Sequence, residues 1–213
     1  MNAAEVERLS GFQVAFGPVR AADLKAYLQA GYRATPAMRR VTFTLRDRLV
    51  LVPLELRPAL KPLLIYALLA LMFCGLKPEG IIFSQAWPAA IPLLILGVAA
   101  MLAGTLLTPA LLPVLPGRAF SLKGLFAGLL TTAGLMFGWP PAALDDPWLQ
   151  AAALIGLPAA SAYLALQFTG ATPFTGISGV EQEIRATRPF YGAAVALAIL
   201  GLLASKLIEW GLI

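Results

Sequence analysis

Few side chains of this sequence could do chemistry, and those that could lie far apart along it. Cys74 follows Met72 near the end of a long apolar run, and a thiol beside a thioether offers two soft donors to a soft metal ion. The same cysteine could instead be a small packing residue, which is its commoner use. With one cysteine and no histidine, the chain cannot assemble a Cys/His zinc site. We therefore predict no catalytic residue and no metal site.

Two oppositely charged residues lie near the end of the last apolar run. Lys206 and Glu209 are three positions apart, so on a helix they share a face and can either pair or extend outward toward water. The alternative is a role in moving a proton or an ion. Pumps and ion pathways carry clusters of buried ionisable residues, and the sequence shows no such cluster, so pairing is favoured.

Composition identifies the class of protein. The chain has 213 residues, of which 59% are hydrophobic and only 13% charged, and its mean hydropathy is +0.79. A soluble domain is about a quarter charged, so the chain is predicted to be an integral membrane protein with the lipid bilayer as its main partner. The net charge is +5, and a basic excess in a membrane protein sets topology, so no nucleic-acid partner is implied.

Five apolar stretches are each near the roughly 20 residues that cross a bilayer as a helix. The second is rich in proline and is expected to span only to about Thr108. Several prolines, among them Pro58, Pro62 and Pro189, are predicted at helix starts, where a missing N–H costs least. The fold prediction is an all-α membrane protein with a five-helix transmembrane bundle. Its spans are placed near Pro58–Leu76, Ala89–Leu115, Ser121–Trp139, Pro147–Phe168 and Pro189–Trp210.

The distribution of charge predicts an orientation. If the five spans alternate in direction, 14 of the 16 basic residues fall on one side. The other side receives Lys77, Asp145, Asp146 and Lys206. By the positive-inside rule the N-terminus is cytoplasmic and the C-terminus external.

Small residues recur at four-residue spacing in two of the spans. Such pairs let helix backbones approach closely, so the third span, which has two of them, is predicted to be central. Generic packing is the main interpretation, and a dimer seam is the alternative. The pairs are Gly124 with Gly128, Gly134 with Gly138, and Ala100 with Gly104.

The N-terminal region reads differently from the spans. "GFQVAFGPVRAADL" predicts a strand, a turn and the start of a helix, with Leu24 and Leu28 on the helix's apolar face and Gly31 as its stop. A lone βα unit cannot close a sheet, so residues 1–43 are predicted to be the C-terminal remnant of a larger α/β domain. Residues 44–57 form a juxtamembrane interfacial helix or strand opened by the weak capping box "TLRD", and residues 58–213 form the membrane domain.

Two long segments carry a resemblance to a known family. "GFQVAFGPVRAADLKAYLQAGYRATPAMRRVTFTLRDRLVLVPLEL" resembles the end of the corrinoid-binding domain in the membrane-anchored corrinoid protein of microbial mercury methylation. "FTGATPFTGISGVEQEIR", from Phe168 to Arg185, resembles that family's last cytoplasmic loop. A more distant similarity is to the corrinoid iron–sulfur protein of the acetyl-CoA pathway. The resemblance extends over essentially the whole chain, including the five spans.

The resemblance implies a cofactor, a partner and a site. A methyl group carried on the cobalt of a corrinoid would pass to Hg(II), and a ferredoxin-like iron–sulfur protein would return the cobalt to its reduced state. Ligands of α/β sheets lie beyond the carboxyl ends of strands. The turn after the predicted strand is therefore the candidate cofactor-binding site, with a plain structural turn as the alternative. Its residues are Gly17, Pro18, Val19 and Arg20.

The sequence also departs from that family. The family's cap helix has the pattern Asn-(Val/Ile)-Trp-Cys-Ala-(Ala/Gly)-Gly-Lys, which does not occur here, and Cys74 lies within the first span. We expect a truncated product, a C-terminal fragment or one half of a split protein. In each case most of the corrinoid-binding region is missing from this chain, and that missing region is its expected partner. Such a chain is not expected to bind a corrinoid or to be catalytic alone. The alternative function is an independent small membrane transporter or an assembly or anchor protein.

Overall fold

The computed structural model describes residues 3–40, 44–138, 144–169 and 177–212. Helices make up most of these residues. The chain divides into two compact units, residues 1–43 and residues 44–213.

The first unit contains two short helices. α1 covers Ala3–Ser10, and a 3₁₀ turn over Ala21–Asp23 leads into α2, which covers Leu24–Gln29. Gly31 has φ +63° and follows α2, where the amide of Tyr32 donates to the carbonyl of Tyr27 at 3.1 Å. A left-handed residue ends a helix in this way, and glycine adopts it without strain. The predicted helix and its glycine stop are therefore present.

The strand predicted before this helix is not confirmed. Residues 11–18 form no β-ladder, and the part of the first unit that the structure describes offers them no partner strand. A strand is defined by pairing, so an isolated extended segment remains irregular chain. The predicted apolar face of α2 also needs correction. Leu24 and Leu28 are each about half exposed, and the buried residue of the helix is Tyr27.

The second unit is built from long helices. Within the described residues, five of these helices are long and apolar enough to cross a membrane, which fits a multi-pass membrane protein and confirms the outline of the predicted bundle. The second span passes through a π-helical turn at Ala103–Leu107 before it ends at Ala110, close to the predicted Thr108. The elements are α3 (Leu45–Gly75), β1 (Leu76–Lys77), β2 (Gly80–Ile81), α4 (Phe83–Leu102), α5 (Thr108–Ala110), α6 (Phe120–Gly138), α7 (Pro147–Thr169) and α8 (Ile177–Glu209).

A short antiparallel hairpin joins the first two spans. β1 pairs with β2 in the register Leu76 with Ile81 and Lys77 with Gly80. Gly80, with φ +125°, supplies a backbone conformation that other residues rarely adopt. Two-residue strands give too little alternation to be seen in a sequence, and the hairpin was not predicted.

The capping box before the first span is confirmed. The backbone amide of Asp47 donates to the Thr44 hydroxyl at 3.4 Å, and the Thr44 amide donates to the Asp47 carboxylate at 2.9 Å. These bonds satisfy two of the amides that a helix start leaves unpaired. The juxtamembrane segment 44–57 is therefore helical and continuous with the first span, without a break at Pro58.

The prediction that prolines mark helix starts was wrong for the first and last spans. Pro58 and Pro62 lie inside α3, and Pro189 lies inside α8, which already begins at Ile177. An interior proline removes one backbone hydrogen bond, and helices of membrane proteins tolerate this loss. In the segment from Phe168 to Arg185 that resembles a family loop, the part "VEQEIR" is thus helical. Residues 170–176 of the same segment lie outside the described residues.

The central helix is α7, which corrects the prediction for the third span. α7 packs against α3, α4, α6 and α8 and against the π-helical turn, while α6 packs mainly against α7 and the second span. Small residues in a span indicate close packing against one neighbouring helix. Their number does not show that the span is central, because a central helix has to contact several neighbours. One of the three predicted small-residue pairs is also unused, since a Cβ on Gly134 or Gly138 would meet nothing within 4 Å.

The close approach is organised around Ser161 of α7. A Cβ on Gly128 would lie 2.6 Å from the Ser161 Cβ, and a Cβ on Gly104 would lie 2.6 Å from the Ser161 carbonyl oxygen. Ser161 is fully buried, and its hydroxyl donates to the carbonyl of Gly124 at 2.9 Å. Glycines of two spans therefore give the backbone of α7 the room to approach.

The glycines at this contact can be tested by substitution. Gly124→Val places a Cβ 2.5 Å from the Cβ of Ala165, whereas the control Gly134→Val on the same helix meets nothing within 4 Å. Overpacking of this kind costs about 1–3 kcal/mol. We expect Gly124→Val to lower the unfolding temperature of the detergent-solubilised chain and Gly134→Val to leave it nearly unchanged. Equal effects of the two changes would contradict the packing described.

Candidate functional site

The turn predicted to bind a cofactor is held within the first unit. The amide of Val19 donates to the carbonyl of Met38 at 2.9 Å, and a Cβ on Gly17 would lie 3.8 Å from the ring of Tyr27. Arg20 is extended and precedes the 3₁₀ turn, where its carbonyl accepts from the amide of Asp23 at 3.1 Å. Gly17, Pro18, Val19 and Arg20 thus form one tethered turn with an accessible outer side. Its approach to a corrinoid stays a prediction.

Charged residues meet at one end of the bundle, which we name the hairpin end because the hairpin of β1 and β2 lies there. Lys206 of α8 is only 7% exposed. Its Nζ lies 2.6 Å from Oε2 of Glu209, and it donates to the carbonyl of Leu76 at 3.1 Å. The ammonium also lies 4.7 Å from the centre of the Phe73 ring, within cation–π range. The predicted pairing of Lys206 with Glu209 is confirmed.

Glu209 binds a second lysine, which comes from the hairpin. Its Oε1 accepts from Lys77 of β1, so one carboxylate holds two ammonium groups from different elements. Leu76, whose carbonyl Lys206 binds, is the residue that caps the end of α3. A cation at this position is favoured because the last carbonyls of a helix are unpaired and carry partial negative charge. The ion-pair group therefore closes α3 and ties it to α8.

A cavity of about 500 Å³ opens beside these charges. Asp145 and Asp146, which precede α7, line it together with Lys77, Lys206 and Glu209. Four of these residues were predicted to share one side of the membrane from the alternation of the spans, and the structure brings them to one end of the bundle. We distinguish two poles in its lining: Lys77, Lys206 and Glu209 form one, with two cations and one anion, and Asp145 and Asp146 form the other, with two anions.

Cys74 lines the same cavity. It is partly buried and packs against the apolar cluster that includes Leu93 and Leu96. Met72 is largely exposed, because residues two apart on a helix point in different directions. Among the residues that the structure describes, no group of three potential His, Cys, Asp or Glu ligands occurs. The position of Cys74 agrees with packing.

The opposite end of the bundle, which we name the basic end, contains two more closures of helix ends. Arg48 of α3 is 8% exposed and donates to the carbonyls of Pro109 and Ala110, each at 3.0 Å. Glu183 of α8 accepts from the amide and the hydroxyl of Ser121 at 2.7 and 2.6 Å. Arg48 thereby closes the end of the second span, and Glu183 closes the start of α6. Neither was predicted, because each partner lies about 60 residues away in sequence.

The buried charged side chains have the same structural role. Of the described residues, only Arg48 and Lys206 are both charged and buried, and each binds carbonyls at the end of a span.

Comparisons with protein-family models, with curated proteins and with solved structures found no match to this chain. The geometry supports a bundle whose charges hold its helices together, with the cavity at the hairpin end as the candidate binding site.

The shared carboxylate can be tested directly. Glu209→Gln removes the counter-charge of two lysines, one of them buried, and we expect a loss of about 1–3 kcal/mol in unfolding free energy, the usual range for losing a hydrogen bond to a charged group. The control is Glu181→Gln, which breaks the exposed pair with Arg185. Such a surface pair contributes at most about 1 kcal/mol. Chemical denaturation of both variants in detergent measures the difference, and an equal loss in both would contradict the closure of α3.

Proposed function

We propose that this chain is the membrane domain of a corrinoid-dependent methyltransferase that passes a methyl group from cobalt to Hg(II). Residues 1–43 are then the last part of its corrinoid-binding domain, and the five helices that follow anchor that domain to the membrane. The support is the resemblance of two long segments to the mercury-methylating corrinoid protein, together with a bundle of five potential spans behind the first segment.

The observation that carries the proposal is an uncovered apolar surface on the first unit. Phe12 and Phe16 are 75% and 68% exposed, and Val19, Leu24 and Leu28 are about half exposed. Aromatic and aliphatic side chains at this density are normally covered by the rest of a domain or by a partner. We assign this cover to the remainder of the corrinoid-binding region.

The turn from Gly17 to Arg20 fits one edge of a large cofactor but not a complete pocket. It is accessible and adjoins the uncovered surface, and the side chain of Arg20 adds a positive charge. Cofactor pockets bury most of their ligand, and about 40 residues with few buried side chains cannot do so. When bound in the complete domain, the corrinoid would supply the cobalt chemistry, and this turn would contribute to its position.

The orientation follows from the charges at the two ends. The basic end holds Arg48, Lys123 and Arg185, whereas the hairpin end holds both acidic residues that precede α7. By the positive-inside rule the basic end faces the cytoplasm of a prokaryotic cell. The corrinoid-binding region would then meet a reduced ferredoxin-like partner in the cytoplasm, and the C-terminus would be external.

Reporter fusions test the orientation. We expect fusions at Asp145 and after Ile213 to read external, and a fusion before Met1 to read cytoplasmic. The physical reason is the retention of basic segments on the cytoplasmic side during insertion. A cytoplasmic signal at Asp145 or after Ile213 would contradict this orientation, and signals on the same side before Met1 and after Ile213 would contradict the odd number of spans.

Methyl transfer tests the function. The 213-residue chain should retain no cobalamin after desalting, as read from the visible spectrum, because it cannot offset the cost of ordering so large a ligand. A chain extended by a complete corrinoid-binding domain should retain it and, when its cobalt carries a methyl group from added methylcobalamin, should transfer that group to Hg(II) and form methylmercury, with a reduced ferredoxin-like protein returning the cobalt to its reduced state. Stoichiometric retention by the short chain, or no methylmercury from the complete chain, would count against the proposal.

The uncovered surface gives a matched pair of variants for the complete chain. Phe16→Asp places a charge where we assign a buried contact, and it should reduce retained corrinoid severalfold, since burying an unpaired charge is strongly unfavourable. Gln13→Asp adds the same charge at an exposed neighbouring position and should leave retention unchanged. Equal retention in the two variants would show that this surface is not covered by the corrinoid-binding region.

A further inference from the structure

An apolar groove lies between α3 and α8, with α7 as its floor. Its volume is about 270 Å³, and its walls are formed by Tyr66, Leu69 and Phe73 from α3 and by Val195, Ile199 and Leu202 from α8. Each wall covers seven residue steps, which correspond to about 10 Å along a helix. The groove therefore has the length and polarity to hold part of one acyl chain.

The groove adjoins the charged cavity at the hairpin end. Phe73 and Leu149 line both spaces, so the apolar groove and the cavity of about 500 Å³ share a wall. A single molecule that fills both must have a polar head and an apolar tail. That requirement selects an amphiphile rather than a soluble metabolite.

Tryptophans place the cavity at the depth of lipid headgroups. Trp87 lies near the start of α4, Trp148 near the start of α7, and Trp210 directly after α8, all at the hairpin end. Trp87 and Trp148 are largely exposed. Exposed tryptophans collect at the membrane–water interface, so the cavity lies at the headgroups and the groove runs toward the hydrocarbon.

The charges of the cavity match a zwitterion. Lys77 and Lys206 share the single carboxylate of Glu209, which leaves this pole with one excess positive charge. At the acidic pole, Asp146 accepts from the amide of Trp148 at 3.0 Å, and within the described part of the chain neither Asp145 nor Asp146 has a cation within ion-pair distance. A phosphate suits the first pole, and an ammonium that donates hydrogen bonds suits the second.

We infer that the cavity and the groove together bind one phospholipid with a primary-amine headgroup, of the phosphatidylethanolamine class. Its phosphate lies beside Lys77 and Lys206, its ammonium lies beside Asp145 and Asp146, and one acyl chain occupies the groove between α3 and α8. A choline headgroup keeps the charge but has no N–H to donate, and an anionic headgroup meets the acidic pole. This lipid site is independent of the proposed methyl transfer.

Native mass spectrometry of the purified 213-residue chain tests the headgroup. The chain is mixed with equal amounts of phosphatidylethanolamine, phosphatidylcholine and phosphatidylglycerol, and bound lipid is counted. We expect the ethanolamine lipid to be retained about tenfold over the other two, because a hydrogen bond between charged groups can change an affinity by about this factor. Asp145→Asn, at an exposed residue, should bring the ratio close to one, while the control Glu181→Gln at the basic end should keep it.

A second pair of variants tests the groove. Val195→Trp fills the groove from the α8 wall, and Leu200→Trp adds the same side chain at a similarly exposed position that does not line it, with 57% and 60% exposure in the native chain. We expect the first to reduce retained lipid severalfold and the second to leave it unchanged, with both variants monodisperse. Equal retention of all three lipids, a preference for phosphatidylglycerol, or an unaltered ratio in Asp145→Asn would overturn the assignment.

Discussion

Helix ends that are buried within a protein must have their backbone groups paired, because water cannot reach them there. Charged side chains from neighbouring helices meet this need here. Arg48 closes the second span at Pro109 and Ala110, and Lys206 closes α3 at Leu76. Glu183 closes the start of α6. Each closing side chain comes from a different helix than the end it closes, so these bonds also fix which helices are neighbours and at what height they meet.

The helices of the bundle pack through close contacts between their backbones. Helices in lipid gain little from the hydrophobic effect when they associate, so close contact between backbones has to hold them. α7 provides that contact, since Ser161 meets glycines of two other spans and bonds to Gly124. The two buried charged side chains, Arg48 and Lys206, lie near opposite ends of the bundle. Within the described residues this leaves an apolar centre, a basic end and a hairpin end where both signs of charge surround a cavity.

Local signals in the sequence predicted local features. The five spans, the Thr44 capping box, the Gly31 stop and the pairing of Lys206 with Glu209 depend on residues within a few turns of one another, and the structure contains them. Contacts between distant segments were not predictable in this way. The closures by Arg48 and Glu183 join residues about 60 apart, and the central place of α7 depends on how all the helices pack. The predicted strand failed because pairing, which defines a strand, is also a contact at a distance. The corrinoid site and the methyl transfer derive from the resemblance and stay predictions.

The central claim is that the buried charges hold helix ends and do not form a route for ions across the membrane. Flux into liposomes that contain the purified chain tests this claim most directly, with Hg(II) and protons followed separately. If Arg48 and Lys206 serve the helix ends, both fluxes should equal those of protein-free liposomes, because the described residues include no other buried charged side chain that could carry an ion through the bundle. Saturable uptake that falls when Lys206 is replaced by methionine would contradict the claim and favour a transporter.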